Sequence, residues 1–185
     1  MKQTAILLYI LPALVLATGA PALAADEVTV QVTSIGASTA KAPSEATRGT
    51  AEAEGITVDP KLAGFGRKLR SLFAYRRYSF LGKSRSAVVF GGASTFALPE
   101  LFALEVEPQR LEVADGEERI EMLVTLYRKL PAPEQAFGAR DVRIREPERE
   151  VVLRTRIRLE NGGTVLLGGP PIEGGVLILA LSARR

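Results

Sequence analysis

Arg154, Arg156 and Arg158 alternate with Leu153, Thr155, Ile157 and Leu159, and a period of two puts the three guanidinium groups on one face of a strand. Guanidinium groups recognise anions: they are planar, always charged, and grip carboxylate or phosphate with paired N–H donors. On a shared face they repel one another unless acids lie opposite. Glu105, Glu107 and Glu112 also alternate with apolar residues and are the expected partners, with Arg143 and Arg145 as an extension of the ladder. A face of this kind is otherwise solvated, binds a polyanion, or discourages edge-to-edge pairing.

A second set is larger. Between Pro60 and Pro99 stand eight basic residues, Lys61, Arg67, Lys68, Arg70, Arg76, Arg77, Lys83 and Arg85, and no acid. Between Glu100 and Met122 stand eight acids, Glu100, Glu105, Glu107, Glu112, Asp115, Glu117, Glu118 and Glu121, against Arg110 and Arg119. Arg67, Lys68, Arg70, Arg76, Arg77, Lys83 and Arg85 are therefore the candidate residues for an anionic partner such as an acidic glycan or a lipid headgroup. In the other reading, the two blocks neutralise each other across neighbouring strands, each exposed pair contributing about 0–1 kcal/mol, or are simply solvated.

Catalysis has little to work with. The chain has no histidine and no cysteine, which removes the usual serine triad, histidine-based zinc sites, thiol nucleophiles and disulfides. Asp59, Asp115, Asp141 and the glutamates show no spacing that pairs two carboxylates on one site. No catalytic, metal or cofactor residue is assigned, and a non-enzyme is expected. The run Gly168-Gly169-Pro170-Pro171-Ile172-Glu173-Gly174-Gly175 lacks a following Lys-Ser/Thr and a helix, so it reads as a wide turn between strands and not as a phosphate loop. Phe73, Tyr75, Tyr78 and Phe80, interleaved with Arg76 and Arg77, can stack bases or sugars, but they also suit core packing where a helix gives way to a strand.

The elements that must position these groups follow from patterning. Residues 1–24 have the form of a cleaved secretory signal: Lys2 first, an apolar stretch from Ala5 to Ala17, then Ala22-Leu23-Ala24 before the cut. Cleavage near Ala24 places the mature chain in the periplasm or outside the cell, where nucleic acid is not an expected partner. No second long apolar segment follows, so no transmembrane segment is expected in the mature chain. Residues 25–35 alternate as a first strand, and 36–57 read as a flexible loop or linker. Residues 58–185 read as a β-rich domain. It opens with an amphipathic helix near 60–72, which Asp59 caps, Pro60 starts, and Leu62, Phe65, Leu69 and Leu72 line.

From Phe73 onward the texture is β. Arg77–Leu81 and Ala87–Phe90 read as separate short strands, as do Leu101–Glu107 and Arg110–Val113 with Pro108 between them. Ile120, Met122, Val124 and Leu126 share one face of a longer strand. Asn161-Gly162 predicts a hairpin turn after the arginine ladder. Val176–Ser182, apolar on both faces, belongs in the middle of a covered sheet. The expected fold is α+β, mainly antiparallel β, a sandwich or partly closed barrel of seven to nine strands with one helix.

Val58-Asp59-Pro60-x-Leu62, then Leu69-x-x-Leu72-Phe73-x-Tyr75-x-x-Tyr78-x-x-Leu81, with the closing Gly-Gly-x-x-x-x-Gly-Gly segment and the strand Val176–Leu181, resemble an uncharacterised family of exported Gram-negative bacterial proteins. That resemblance implies a secreted β-rich domain and brings no activity with it. Over a dozen residues, Arg158 to Gly169 is similar to a late strand-turn-strand of outer-membrane secretins, which implies an accessory of envelope assembly. The leading expectation is a non-catalytic domain working by protein–protein contact with an envelope protein. The alternative is a binder of an anionic glycan or lipid headgroup through the basic 61–85 region.

Overall fold

Val28, Val30 and Val32 point one way along the first strand, Thr29, Gln31 and Thr33 the other, and this alternation sets the frame of the molecule. The computed structural model describes residues 26–39, 55–114, 116–130 and 148–185. The signal at 1–24, residues 40–54 of the expected linker, Asp115, Asp141, Arg143 and Arg145 lie outside the described residues. The elements are β1 (Glu27–Ser38), β2 (Thr57–Val58), a 3-10 turn (Pro60–Phe65), α1 (Gly66–Leu72), β3 (Arg77–Val89), β4 (Ser94–Ala97), β5 (Phe102–Ala114), β6 (Glu117–Lys129), β7 (Arg149–Glu160), β8 (Thr164–Ile172) and β9 (Gly175–Arg184). They form a five-stranded sheet, β2-β3-β1-β9-β8, and a four-stranded sheet, β4-β5-β6-β7. All pairings are antiparallel except the short parallel β2–β3.

The two sheets face each other across one core. Val28, Val30 and Val32 of β1 and Leu177, Leu179 and Leu181 of β9 meet Leu104 and Val106 of β5 and Ile120, Met122, Val124 and Leu126 of β6. A second, smaller core lies on the other face of the five-stranded sheet, where Ile35, Ala37, Tyr78, Ile178 and Ala180 receive Leu62 and Leu69 from the helical segment. β9 is thus buried on both faces, in agreement with its unbroken apolar run.

The helical segment follows its expected cap. Asp59 Oδ1 accepts the Lys61 N–H at 2.9 Å, and Pro60 occupies the first position. Its first half winds as a 3-10 turn, so the stripe read at α-helical spacing splits: Leu62 and Leu69 are buried, whereas Leu72 is 63% exposed. Tyr78 holds the segment to the sheet, its hydroxyl donating to Phe73 O at 2.7 Å and Leu69 O at 3.2 Å.

Several expected boundaries move, and bulges are the common cause. β1 continues past Ile35 to Ser38. β3 runs unbroken through Gly82 and Lys83, because β1 hydrogen-bonds it along its whole length; the irregularity is Leu81, an extra residue between the pairs Ser34–Gly82 and Ile35–Phe80. β5 likewise continues through Pro108, with Gln109 as the extra residue between Pro108–Met122 and Arg110–Glu121. Gly168 to Pro171 lies inside β8 as a bulged stretch at a sheet edge, where proline is tolerated. The turn proper is the tight Glu173-Gly174, with Gly174 at φ +78°.

Asn161-Gly162 does not close a hairpin. β7 and β8 belong to different sheets, and the turn carries the chain from one to the other. Asn161 N–H donates to Glu118 O at 2.9 Å and Gly162 N–H to Ala183 O at 2.8 Å, one bond to each sheet. Asn161 Nδ2 adds a bond to Glu118 at 2.7 Å, and Arg185 pairs with Asp26 at 2.8 Å.

Two substitutions separate the layers. Leu179→Ala opens a cavity between the sheets and is expected to cost about 2–5 kcal/mol in urea unfolding. Tyr78→Phe removes only the hydroxyl that ties down the helical segment and is expected to cost about 1–2 kcal/mol. An unchanged midpoint for Tyr78→Phe would show that those two hydrogen bonds do not anchor it.

Candidate functional site

The outer face of the four-stranded sheet is built by β5, β6 and β7 in register. Arg110, Glu121 and Arg158 lie abreast across the three strands, and Glu112, Arg119 and Glu160 form the next row. The Gln109 bulge creates this arrangement. It turns Leu111 toward the core and places Arg110 and Glu112 outward, where unbroken alternation would have put Gln109 and Leu111.

Glu121 is the hub. Its Oε2 accepts from Arg110 Nη2 at 2.8 Å, Arg110 Nε at 3.1 Å and Arg158 Nε at 3.3 Å, while Arg156 Nε stands 3.3 Å from Oε1. Glu112 bridges Arg110 at 2.7 Å and Arg158 at 3.8 Å. The Glu121 side chain is only 3% exposed, yet it lies on the outer face: the long arginine side chains lie over it, and it is not sunk in the core. The Arg110 hydrogen bond holds its carboxyl below the usual glutamate range against the opposing pull of burial, and Arg158 and Arg156 reinforce the effect. Glu121 in turn raises Arg110.

The expected partners of the arginine ladder are therefore right in part. Glu112 is one. Glu105 instead accepts the Tyr127 hydroxyl at 3.2 Å, and Glu107 faces Leu123 with no ion pair among the described residues. The principal partner, Glu121, is the acid between inward-facing Ile120 and Met122. That outward position, opposite Arg158 once β6 and β7 pair, was the signal in the sequence. Arg154 faces Thr125 and has no ion pair among the described residues.

The basic block is distributed over several surfaces. Arg67, Lys68 and Arg70 stand exposed on α1, and Arg76 is exposed just before β3. Lys83 and Arg85 pair with Thr33 and Gln31, on the face of the five-stranded sheet that the helical segment covers at its other end. Arg77 pairs with Ser38 and points to the opposite face, lining a shallow cleft with Ser79, Leu81 and Glu173. Among the described residues none of these seven cations forms an ion pair. Among the described residues this block is not neutralised by the acids of 100–122: those of β5 and β6 lie on the other sheet, and several are taken by its own arginines. The aromatic cluster is core at a helix-to-strand junction: Tyr78 is buried, Tyr75 packs edge-on against it at 6.5 Å, and Lys61 lies 5.1 Å over the Phe80 ring. No group of three or more Asp or Glu suited to a metal ion occurs among the described residues.

Together these features define a mainly antiparallel β-sandwich whose charged groups lie on open sheet and helix surfaces. No family model matches the chain, and no curated protein matches it. Among solved structures, the T2SS secretin XcpQ from Pseudomonas aeruginosa aligns over 85% of this chain and 56% of its own, with 10% sequence identity and a TM-score of 0.32. The chain thus spans little more than half the length of that secretin chain, and so low a score carries no argument about function.

Protonation of Glu121 tests the hub. Its folded pKa lies below its unfolded one, so its stabilising contribution is complete above the ordinary glutamate value of 4.5 and is lost as pH falls through the lowered value. Glu121→Gln is expected to unfold at lower urea than the parent at pH 7, with the gap closing on acidification. A gap that stays constant with pH would show that the carboxylate charge is not what holds the three arginines.

Proposed function

We propose that the chain is an exported, non-catalytic domain that acts by protein–protein contact in the bacterial cell envelope, as an accessory of envelope or secretion assembly. The observation that carries this reading is where the charged groups are. They lie on sheet and helix surfaces, the most elaborate cluster is the ion network around Glu121, and the clefts beside Arg77 and Glu173 and beside Ala63 and Arg70 open to solvent. A surface of this kind presents shape, backbone edge and charge to a partner. Among the described residues no helix is long and apolar enough to cross a membrane, and the secretory pattern at 1–24 supplies the route of export.

Two measurements test it. Intact mass of the protein from an envelope fraction is expected to match a chain beginning at Ala25; a full-length mass would overturn export by cleavage. Crosslinking in the native envelope is expected to give a saturable, stoichiometric protein adduct, and its absence in every envelope fraction would overturn the contact role.

A second reading has its own support: among the described residues Arg67, Lys68, Arg70, Arg76, Lys83 and Arg85 form no ion pair. In this reading they hold an anionic envelope component, glycan or lipid headgroup, by charge. Binding of lipopolysaccharide or acidic glycan is then expected to weaken with salt and with Lys83→Ala/Arg85→Ala, and to survive Arg77→Ala, since Arg77 faces the other way. No measurable binding at low salt would overturn it.

A further inference from the structure

β7 is the long open edge of the four-stranded sheet. It runs from Arg149 to Glu160 and pairs only with β6; the opposite edge is the four-residue β4. Among the described residues no strand lies along its other side. At its C-terminal end, at Asn161, the chain crosses to the second sheet. Among the described residues, the stretch 151–158 has no strand beyond β6 to take the backbone N–H and C=O groups on its other side, a template for another strand. Its side chains are also incompletely covered. Leu153 and Ile157 reach the core but are only half-buried, and Val151 and Val152 are 54% and 41% exposed.

We propose that β7 is a docking edge for an extended acidic segment of a partner protein, which adds to the four-stranded sheet as a fifth strand. The proposal rests on the protein-contact reading above and supplies its mode. Charge selects the occupant. Arg154, Arg156 and Arg158 project outward along this edge, and the last two are 62% and 61% exposed despite their contacts with Glu121. Three arginines, Arg110, Arg156 and Arg158, share Glu121 and Glu112, and Arg154 has no ion pair among the described residues, so cationic character is in excess along β7. An incoming strand with carboxylates at alternate positions meets that excess and turns its other face onto Leu153 and Ile157. A second copy of this chain fits poorly. Antiparallel pairing of β7 with itself, faces matched, sets arginine across from arginine in every register that overlaps the ladder, and like charges directly opposite are destabilising.

The probe is a short peptide of alternating glutamate and valine, compared with the same composition in blocks and with the alternating peptide N-methylated at every second amide. The alternating peptide is expected to bind the protein, to weaken with salt, and to protect amides of 151–158 from hydrogen exchange. Arg154→Glu, which breaks no ion pair seen here, is expected to weaken binding about tenfold without moving the unfolding midpoint. With the methyl groups placed in each of the two phases in turn, loss of binding in the phase whose methyl groups face β7, and retention in the other, supports strand addition. Equal binding of the block peptide, indifference to N-methylation, or absence of new protection in β7 would overturn it. So would dimerisation of the protein that protects β7 without peptide, since a second copy would then be the occupant. If the peptide fails while crosslinking in the envelope still yields a stoichiometric partner, this mode falls and the contact role stands; if both fail, both fall.

Discussion

The structure depends on β9 being apolar on both faces. A strand with no polar side must be covered twice, and here the four-stranded sheet covers Leu177, Leu179 and Leu181 while the helical segment covers Ile178 and Ala180. Each of these leucine and isoleucine side chains contributes about 1.5–3 kcal/mol by leaving water, so both covers are required. The second cover is short, and the composition of the five-stranded sheet changes where it stops. Toward Ile35 and Ala37 the residues are apolar or small. Toward Thr29 and Gln31 they are polar, and Lys83, Arg85, Ser182 and Arg184 stand beside them. The open part of that face is therefore wet and cationic because the helical segment reaches only half of it.

Patterning made the core legible and left the bulges hidden. Val28, Val30 and Val32, the Ile120–Leu126 set and the double-faced β9 all lie where their periods put them, because alternation records which face is dry. The helix start was legible at Asp59-Pro60 because capping is local chemistry. Leu81, Gln109 and the Gly168–Pro171 stretch are different. Each is an extra residue accommodated because a neighbouring strand continues past it, and a single chain segment carries no record of its neighbour's register. Breaks were expected at Gly82 and Pro108 for that reason, and the strands run on. Asn161-Gly162 shows the same limit: the sequence marks a tight turn, whereas the sheet it leads into is decided by the pairing of β8 with β9.

The charge blocks teach a related lesson. The described acids of β5 and β6 lie on the four-stranded sheet, whereas the bases at 61–85 stand on the helical segment and on β3 of the other sheet, so their balance in the composition is not a balance in space. What neutralises Glu112 and Glu121 is Arg110 beside them and Arg156 and Arg158 on β7, and the bulge at Gln109 is what turns Arg110 toward Glu121. The candidate surface was thus half legible. The ladder was visible as period-two arginine, but its true partner required the register of three strands.

The stoichiometry of that cluster explains its behaviour as a surface. Arg110 and Arg158 crowd onto one oxygen of Glu121, and Arg156 stands 3.3 Å from the other. A guanidinium carries five N–H donors, so three arginines bring many more donors than Glu121 and Glu112 can accept. The Arg156 and Arg158 side chains accordingly stay 62% and 61% exposed beside the carboxylate they hold. The chain contains no histidine, so no imidazole sits on this face. Ionic strength tunes it, screening the exposed arginines far more than the enclosed carboxylate they surround.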